Sequence, residues 1–225
     1  NNDLDNFVYT ASHDLKAPIL NIDGLLALLA DEHTYTADRK SDTEKILKMM
    51  KGSVERFKKT IDSLTEVAKL QQAYEFNAEL VNVREVIEEV SLDLAPLISE
   101  TQAVLDVHVA ADAAIRFSGK NLRSVVYNLL SNAIKYRSSH RTPHVQISCH
   151  LSDQYQVLTF ADNGLGMTAA QRKGLFTLFK RFHDHVEGTG IGLYMVKKVV
   201  ENADGKIEVE SKANVGTTFR VYLPV

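Results

Sequence analysis

The chain has 225 residues, 44% hydrophobic and 24% charged, with a formal net charge of -3. These values suit a globular protein of one large or two modest domains, and the weakly acidic balance gives no basis for nucleic-acid binding. No apolar run approaches membrane-spanning length, and the single cysteine, Cys149, excludes an internal disulfide and points to a cytoplasmic setting.

The first 75 or so residues contain only Gly24, Gly52 and Pro18 as helix breakers, and read as two long helices. Phe7, Ala11, Leu15, Ile22, Leu25 and Leu29 form a stripe on the first, and Ile46, Met50, Ser53, Phe57, Ile61, Leu64 and Ala68 on the second. The polar segment Asp31 to Thr36 is the turn between them. Such an antiparallel hairpin leaves an apolar face over, which either packs on the rest of the chain or pairs with a second copy as a four-helix bundle. The sequence begins at Asn1 within a helical pattern, and the expectation is a fragment whose sensor domain, or a membrane anchor of the parent protein, lies upstream.

From about residue 79 the period changes. Glu85 to Ile98 reads as one helix, its last turn disturbed by Pro96. Val104 to Val109 and Ala114 to Phe117 read as strands, and Asn121 to Tyr136 as a long helix. His144 to Leu151 alternates cleanly and pairs as a hairpin with Tyr155 to Ala161, which places Cys149 among core residues. Tyr194 to Asn202 is helical, and Lys206 to Ser211 and Thr217 to Leu223 are strands. Short strands interspersed with helices predict a mixed sheet with helices on one face.

Four strings carry chemistry. Ser12-His13-Asp14-Leu15-Lys16-Ala17-Pro18 puts an imidazole beside a carboxylate on a helix, with a proline expected to bend it locally. On its own, a His-Asp pair reads as a solvated helix residue. Asn128 and Asn132, four apart on one helix face, offer amide oxygens suited to a magnesium ion that bridges phosphates, with Lys135 and Tyr136 on the next turn. Asp162-Asn163-Gly164-Leu165-Gly166 ends a strand with a carboxylate, which can accept from an exocyclic amine. Gly188-Thr189-Gly190-Ile191-Gly192-Leu193 opens into a helix, whose free N–H groups and dipole favour phosphate.

Together these strings resemble the catalytic core of a sensor histidine kinase, over nearly the whole chain. The resemblance implies two domains. Residues 1-75 would be a dimerising phosphotransfer hairpin and 76-225 a Bergerat-type α/β sandwich that binds ATP and magnesium. It implies that His13 is the phosphoacceptor, oriented by Asp14, and that Asp162 holds the adenine while Gly164 and Gly166 let the backbone approach it. Asn128 and Asn132 would hold the metal. Gly188, Thr189, Gly190, Gly192 and Leu193 would face the phosphates, and Thr217, in Gly216-Thr217-Thr218, belongs to the last box. Met167 to Glu187 resembles the lid, clasped by Phe176, Phe179 and Phe182; Lys180 and Arg181 in it either reach the phosphates or form a solvated basic pair. His183 and His185 lack a third metal ligand, and the remaining histidines have no setting like that of His13.

Bergerat ATPases carry a glutamate where this chain has Asn128. An amide cannot take a proton at neutral pH, so the site reads as one that orients ATP rather than hydrolysing it. A hydrolysing ATPase and a nucleotide-binding pseudokinase remain the competing readings. The resemblance also implies a homodimer and an aspartate on a response-regulator receiver domain as the final acceptor. Ala17 stands where members that dephosphorylate their partner carry Thr or Asn, so the expectation is weak or absent phosphatase activity. Rapid loss of phosphate from the cognate partner, dependent on the Ala17 site, would contradict it.

Overall fold

A computed structural model describes residues 2–30, 39–72, 78–178, 180 and 190–225, which fall in two compact units, Asn1–Gln72 and Ala73–Val225. The first consists of α1 (Asn2–Ala30) and α2 (Arg39–Gln72), packed against each other as a hairpin. α1 continues through Pro18, which is buried. Between the helices Leu25 is buried, and the fully buried Ser53 accepts from Asn21 Nδ2 at 2.6 Å while donating to Met49 O at 3.1 Å. The hydroxyl tolerates its place on the apolar stripe because both hydrogen bonds are made. Ile19, Leu20, Leu26, Leu47 and Met49 remain exposed on this unit. No helix among the described residues is long and apolar enough to cross a membrane.

The second unit begins with β1 (Glu79–Asn82), α3 (Val83–Asp93), α4 (Ala95–Thr101), β2 (Val104–His108) and β3 (Ala114–Phe117). It continues with α5 (Gly119–Lys135), β4 (His144–Ser152), β5 (Tyr155–Asp162), α6 (Ala169–Lys173), α7 (Gly192–Glu201), β6 (Lys206–Lys212) and β7 (Gly216–Pro224). Five strands form a sheet of order β2-β4-β5-β7-β6, with β2 parallel to β4 and every other pair antiparallel. The helical hairpin and the mixed sheet are the architecture that the sequence pattern predicts.

Two local expectations are corrected. The stretch read as one helix is two, because Leu94 leaves helical geometry at φ -89°, ψ 2° and Pro96 starts α4 instead of disturbing a last turn. In a first helical turn the missing proline N–H is no loss. The strand Ala114–Phe117 stands outside the main sheet, paired antiparallel with the four-residue β1.

The register sets the inner face of the sheet. Ile147, Phe160, Phe219 and Val209 form one cross-strand row, and Cys149, Leu158, Val221 and Ile207 the next. α5 and α7 cover these rows with Val126, Leu130, Ala133 and Ile134 and with Met195, Val196, Val199 and Val200. Cys149 is half-buried rather than buried; burial pushes its thiol pKa up, and its Sγ lies 3.7 Å from Gln156 Oε1.

At one end of the same face the row becomes polar: Val145, then Asp162, Thr217 and Ser211. Strand alternation therefore brings a carboxylate and two hydroxyls under the helices, at the edge of an otherwise apolar layer.

Candidate functional site

A cavity of about 200 Å³ opens above this polar row. α5 supplies Asn128, Asn132 and Lys135 to its lining and its C-cap supplies Tyr136, β5 supplies Asp162, and β7 supplies Thr217 and Phe219. The start of α7 adds Gly190, Gly192 and Leu193, and the loops after β5 and α6 add Gly166, Met167, Leu175 and Lys180. Eleven of the residues singled out in the sequence, from five separate stretches, thus meet in one pocket.

Asp162 is the most constrained of them. Its Oδ1 accepts from the backbone N–H groups of Gly164 at 2.8 Å and Thr217 at 3.1 Å. With both bonds on one oxygen, Oδ2 is the acceptor left for a ligand. Burial pushes its pKa up to about 6, against the two backbone N–H groups and the Arg141 charge, which pull it down. The cavity thus holds a carboxylate that is ionised at neutral pH and costly to keep so.

The glycines around it are spatial necessities. Gly166 has φ +62°, and a Cβ there would lie 2.0 Å from Lys212 O. Gly164 does not line the cavity. A Cβ on it would meet Tyr136 O at 2.5 Å, so its place is in packing the loop against the end of α5.

α5 starts where Ser118 Oγ accepts from Asn121 N, and carries the two amides to the cavity. Asn128 Nδ2 donates to Ser124 O at 2.9 Å, which turns Oδ1 toward α7; a Cβ on Gly192 would sit 2.2 Å from that oxygen. Asn132 makes no side-chain hydrogen bond among the described residues. α7 has Ile191 at its N-cap, which makes no side-chain cap bond, so among the described residues no cap side chain takes its first-turn N–H groups, and Gly192 and Leu193 of that turn line the cavity. That end favours negative charge. Uncommitted amide oxygens facing an anion-binding helix end suit a hard cation shared with the anion. Among the described residues no group of three His, Cys, Asp or Glu side chains is placed to hold a metal without such help.

His13 and Asp14 fall on α1 in the first unit, and their side chains lie outside the described residues, as do Arg181, Gly188 and Thr189. Phe179, Phe182, His183, His185 and the turn Asp31 to Thr36 also lie outside them. In the stretch expected to form a lid, α6 is held by a capping box in which Thr168 and Gln171 bond reciprocally. Phe176 lies under the Lys197 ammonium at 5.6 Å, and Lys180 packs against Gly174.

Sequence reasoning missed three residues. Ser211 Oγ accepts from Met167 N at 2.8 Å and lies 2.9 Å from both Gly216 O and Thr217 Oγ1, tying Met167 to the polar row. Arg141 donates to backbone carbonyls of two loops beside Asp162. His108 pairs with Asp106 at 2.9 Å, on the opposite face of the sheet from the cavity. The signal for Ser211 was the strand alternation itself; the other two carry no local pattern.

Comparison with known proteins adds the family. Residues 118–225 match the histidine kinase-, DNA gyrase B- and HSP90-like ATPase family, and residues 3–73 match the His Kinase A (phospho-acceptor) domain. Phytochrome-like protein Cph1 of Synechocystis sp. is 29% identical over 227 residues, covering 100% of this chain and 30% of Cph1. The chain thus spans less than a third of the length of this curated relative. Among solved structures, the Acinetobacter baumannii histidine kinase AdeS aligns with a TM-score of 0.72 at 20% identity, over 94% of this chain and 97% of that one. Histidine kinase ThkA, in complex with response regulator protein TrrA, aligns with a TM-score of 0.72 at 17% identity, over 97% of this chain and 61% of ThkA. Both likenesses show the same fold.

The elevated Asp162 pKa generates a test. An acid whose folded pKa lies above its usual value stabilises the fold fully below the usual 3.8, and loses that contribution as pH rises through about 6. The difference corresponds to about 3 kcal/mol at most. Asp162→Asn keeps an acceptor for the two backbone N–H groups and removes the charge. Scanning calorimetry should therefore show the second unit melting several degrees higher than wild type at pH 8 and at the same temperature near pH 4. Equal melting at both pH values would show that the buried charge carries no such cost.

Proposed function

We propose, from the premise that this chain belongs to the histidine kinases, that it transfers the γ-phosphoryl group of ATP to His13 and then to an aspartate of a response-regulator receiver domain. The observation that carries the reading is the convergence, in one cavity, of an acceptor for a base and a helix end for phosphates. Two amide oxygens for a phosphate-bound cation complete the set. Residues 76-225 serve as the ATP-binding domain and residues 1-75 as the phosphoacceptor hairpin.

In this reading Asp162 Oδ2 accepts from the exocyclic amine of adenine, and Thr217 borders the same end of the base. Guanine presents a carbonyl there and meets a carboxylate, so the pocket prefers adenine. The backbone at Gly188 to Leu193 and the N-terminus of α7 hold the phosphates, with Lys135, Lys180 and Arg181 as neighbouring cations and Tyr136 beside the sugar. Asn128 and Asn132 hold Mg2+, which when bound neutralises charge on the phosphates. Both side chains are amides, so neither can deprotonate a water for hydrolysis.

Transfer requires His13 and the γ-phosphate to meet. A ring nitrogen of His13 forms the new bond to phosphorus while the bond from phosphorus to the bridging oxygen breaks, leaving ADP. Asp14 takes the proton that the imidazole gives up. Positioning and charge neutralisation supply most of the rate. The phosphoryl group then passes from His13 to the carboxylate of the receiver domain, the kind of partner that the ThkA–TrrA complex brings to a histidine kinase. The exposed Ile19, Leu20, Leu26, Leu47 and Met49 support pairing of two hairpins into a four-helix bundle, which would bury them. An upstream sensor would set the rate, and the reaction belongs in the cytoplasm, where ATP is found.

Incubation with γ-labelled ATP and magnesium tests the reading directly. Wild type should acquire acid-labile, base-stable label; His13→Gln and Asn132→Ala should acquire none. Phosphate released to solution with no label on the protein would make the chain an ATPase. Retained ATP binding with neither outcome would make it a pseudokinase.

A further inference from the structure

Arg141 lies in the connection between α5 and β4, outside the boxes on which the nucleotide site is read. Its Nε donates to Asn163 O, and its Nη2 donates to Gly164 O at 2.6 Å and Asn214 O at 2.9 Å, with Val215 O at 3.4 Å. The first pair of carbonyls belongs to the loop leaving β5, the second to the turn between β6 and β7. These are the segments where the sheet's ladder runs out: β5 ends at Asp162 and β7 begins at Gly216. Beyond that point one other backbone bond, Asn214 N to Leu165 O at 2.6 Å, joins the two.

The latch is reciprocal. Asn163 Nδ2 donates to Thr142 O at 2.9 Å and its Oδ1 accepts from His144 N at 2.9 Å, which fixes the backbone just after Arg141. Arg141 in turn fixes the backbone of Asn163 and Gly164. A planar fork holds several donors in fixed directions toward carbonyls from two loops at once; a lysine ammonium on a flexible stem does not hold the same geometry.

We propose that Arg141 is a positioning residue for the base-reading end of the site: by gripping both loops, its guanidinium fixes the spacing between Asp162 and Thr217, and with it the selection of adenine. The Gly164 N–H that Asp162 Oδ1 accepts belongs to one gripped loop, and the Thr217 N–H follows the other by two residues. Releasing the loops frees Oδ1 to rotate, and Oδ2 no longer points at a fixed place. The proposal rests on the nucleotide-site reading above.

Arg141 also acts on Asp162 through charge, lowering its pKa against the effect of burial. The other titratable groups lining the cavity are Tyr127 and Lys135 on α5, Tyr136 at its C-cap and Lys180 after α6; on β7 and β6 the row neighbours of Asp162 are the uncharged Thr217 and Ser211. Since Oδ1 is already taken, a proton on Oδ2 removes the acceptor that adenine needs.

The test is calorimetric titration of ATP and of GTP, each with magnesium, into the full chain from pH 5 to 8.5, for wild type, Arg141→Lys and Arg141→Met. Arg141→Met should lose about tenfold or more in ATP affinity, the size expected for charge-assisted bonds. Its affinity for GTP should change little, so the ATP-to-GTP ratio collapses. Its ATP affinity should also fail at higher pH than wild type, because the cation that kept the carboxyl ionised is gone. Arg141→Lys keeps a charge and loses the fork, so its ratio should fall while its pH dependence stays near wild type. An unchanged ratio in Arg141→Met overturns the proposal, as does an equal loss for both nucleotides, which would make Arg141 a support of the fold alone. If Arg141→Met does not fold, the Arg141→Lys ratio decides by itself: lowered supports the proposal, and wild-type overturns it. Wild-type protein that binds no ATP would sink the nucleotide-site reading, and this proposal with it.

Discussion

The second unit is organised around one buried carboxylate. Asp162 stands at the end of β5, on the face of the sheet that α5 and α7 cover, where every residue of the next two rows is apolar or a thiol. Putting an ionisable group there is costly, and two backbone N–H groups offset part of the cost. Those two donors dictate much else. Gly164 must turn back to give one, and the strand pairing of β7 must begin at Gly216 and Thr217 to give the other. Gly216, at φ +147°, passes so near that a Cβ would lie 1.9 Å from Asp162 O.

The remainder of the pocket is built by helix direction. α5 runs so that Asn128, Asn132 and Lys135 fall on the turns facing the cavity, while Leu122, Val126, Leu130 and Ile134 enter the core. α7 begins at the pocket and buries Met195, Val196, Val199 and Val200 as it leaves. A helix end that faces a cavity without a side-chain cap is a standing demand for acceptor atoms, and phosphate is the acceptor that best meets it. In the proposed reading, base reading and phosphate holding would be divided between the sheet end and the helix end. Asn128, which touches Gly192, spans the gap between them.

The two long helices, the hairpin β4–β5 and the mixed sheet were legible because their periodicity is strong and uninterrupted. β1 was not, since four residues, Glu79 to Asn82, are too few to show alternation. The break at Leu94 was misread because Pro96 fits either a helix end or a helix start, and local sequence does not choose. In the site, residues inside boxes were easy to find. Ser211 was not, because its part depends on the register of β6 against β7, which a turn with Asn214 at φ +62° sets. Arg141 was invisible for a different reason: it acts on carbonyls, which every residue has, in segments more than twenty and seventy positions away. Gly164 was read as letting the backbone approach the base; the structure adds a packing reason, since a Cβ there would collide with the backbone of Tyr136 at the end of α5.

The central claim is that Asp162 and the N-terminus of α7 receive opposite ends of one ATP molecule. A crystal structure of the chain with a non-hydrolysable ATP analogue and magnesium tests it most directly. The account predicts the adenine amine within hydrogen-bond distance of Asp162 Oδ2 and the triphosphate at the first turn of α7, with the metal between the phosphates and Asn128 or Asn132. An analogue bound with its base away from Asp162, or with its phosphates away from α7, would contradict it.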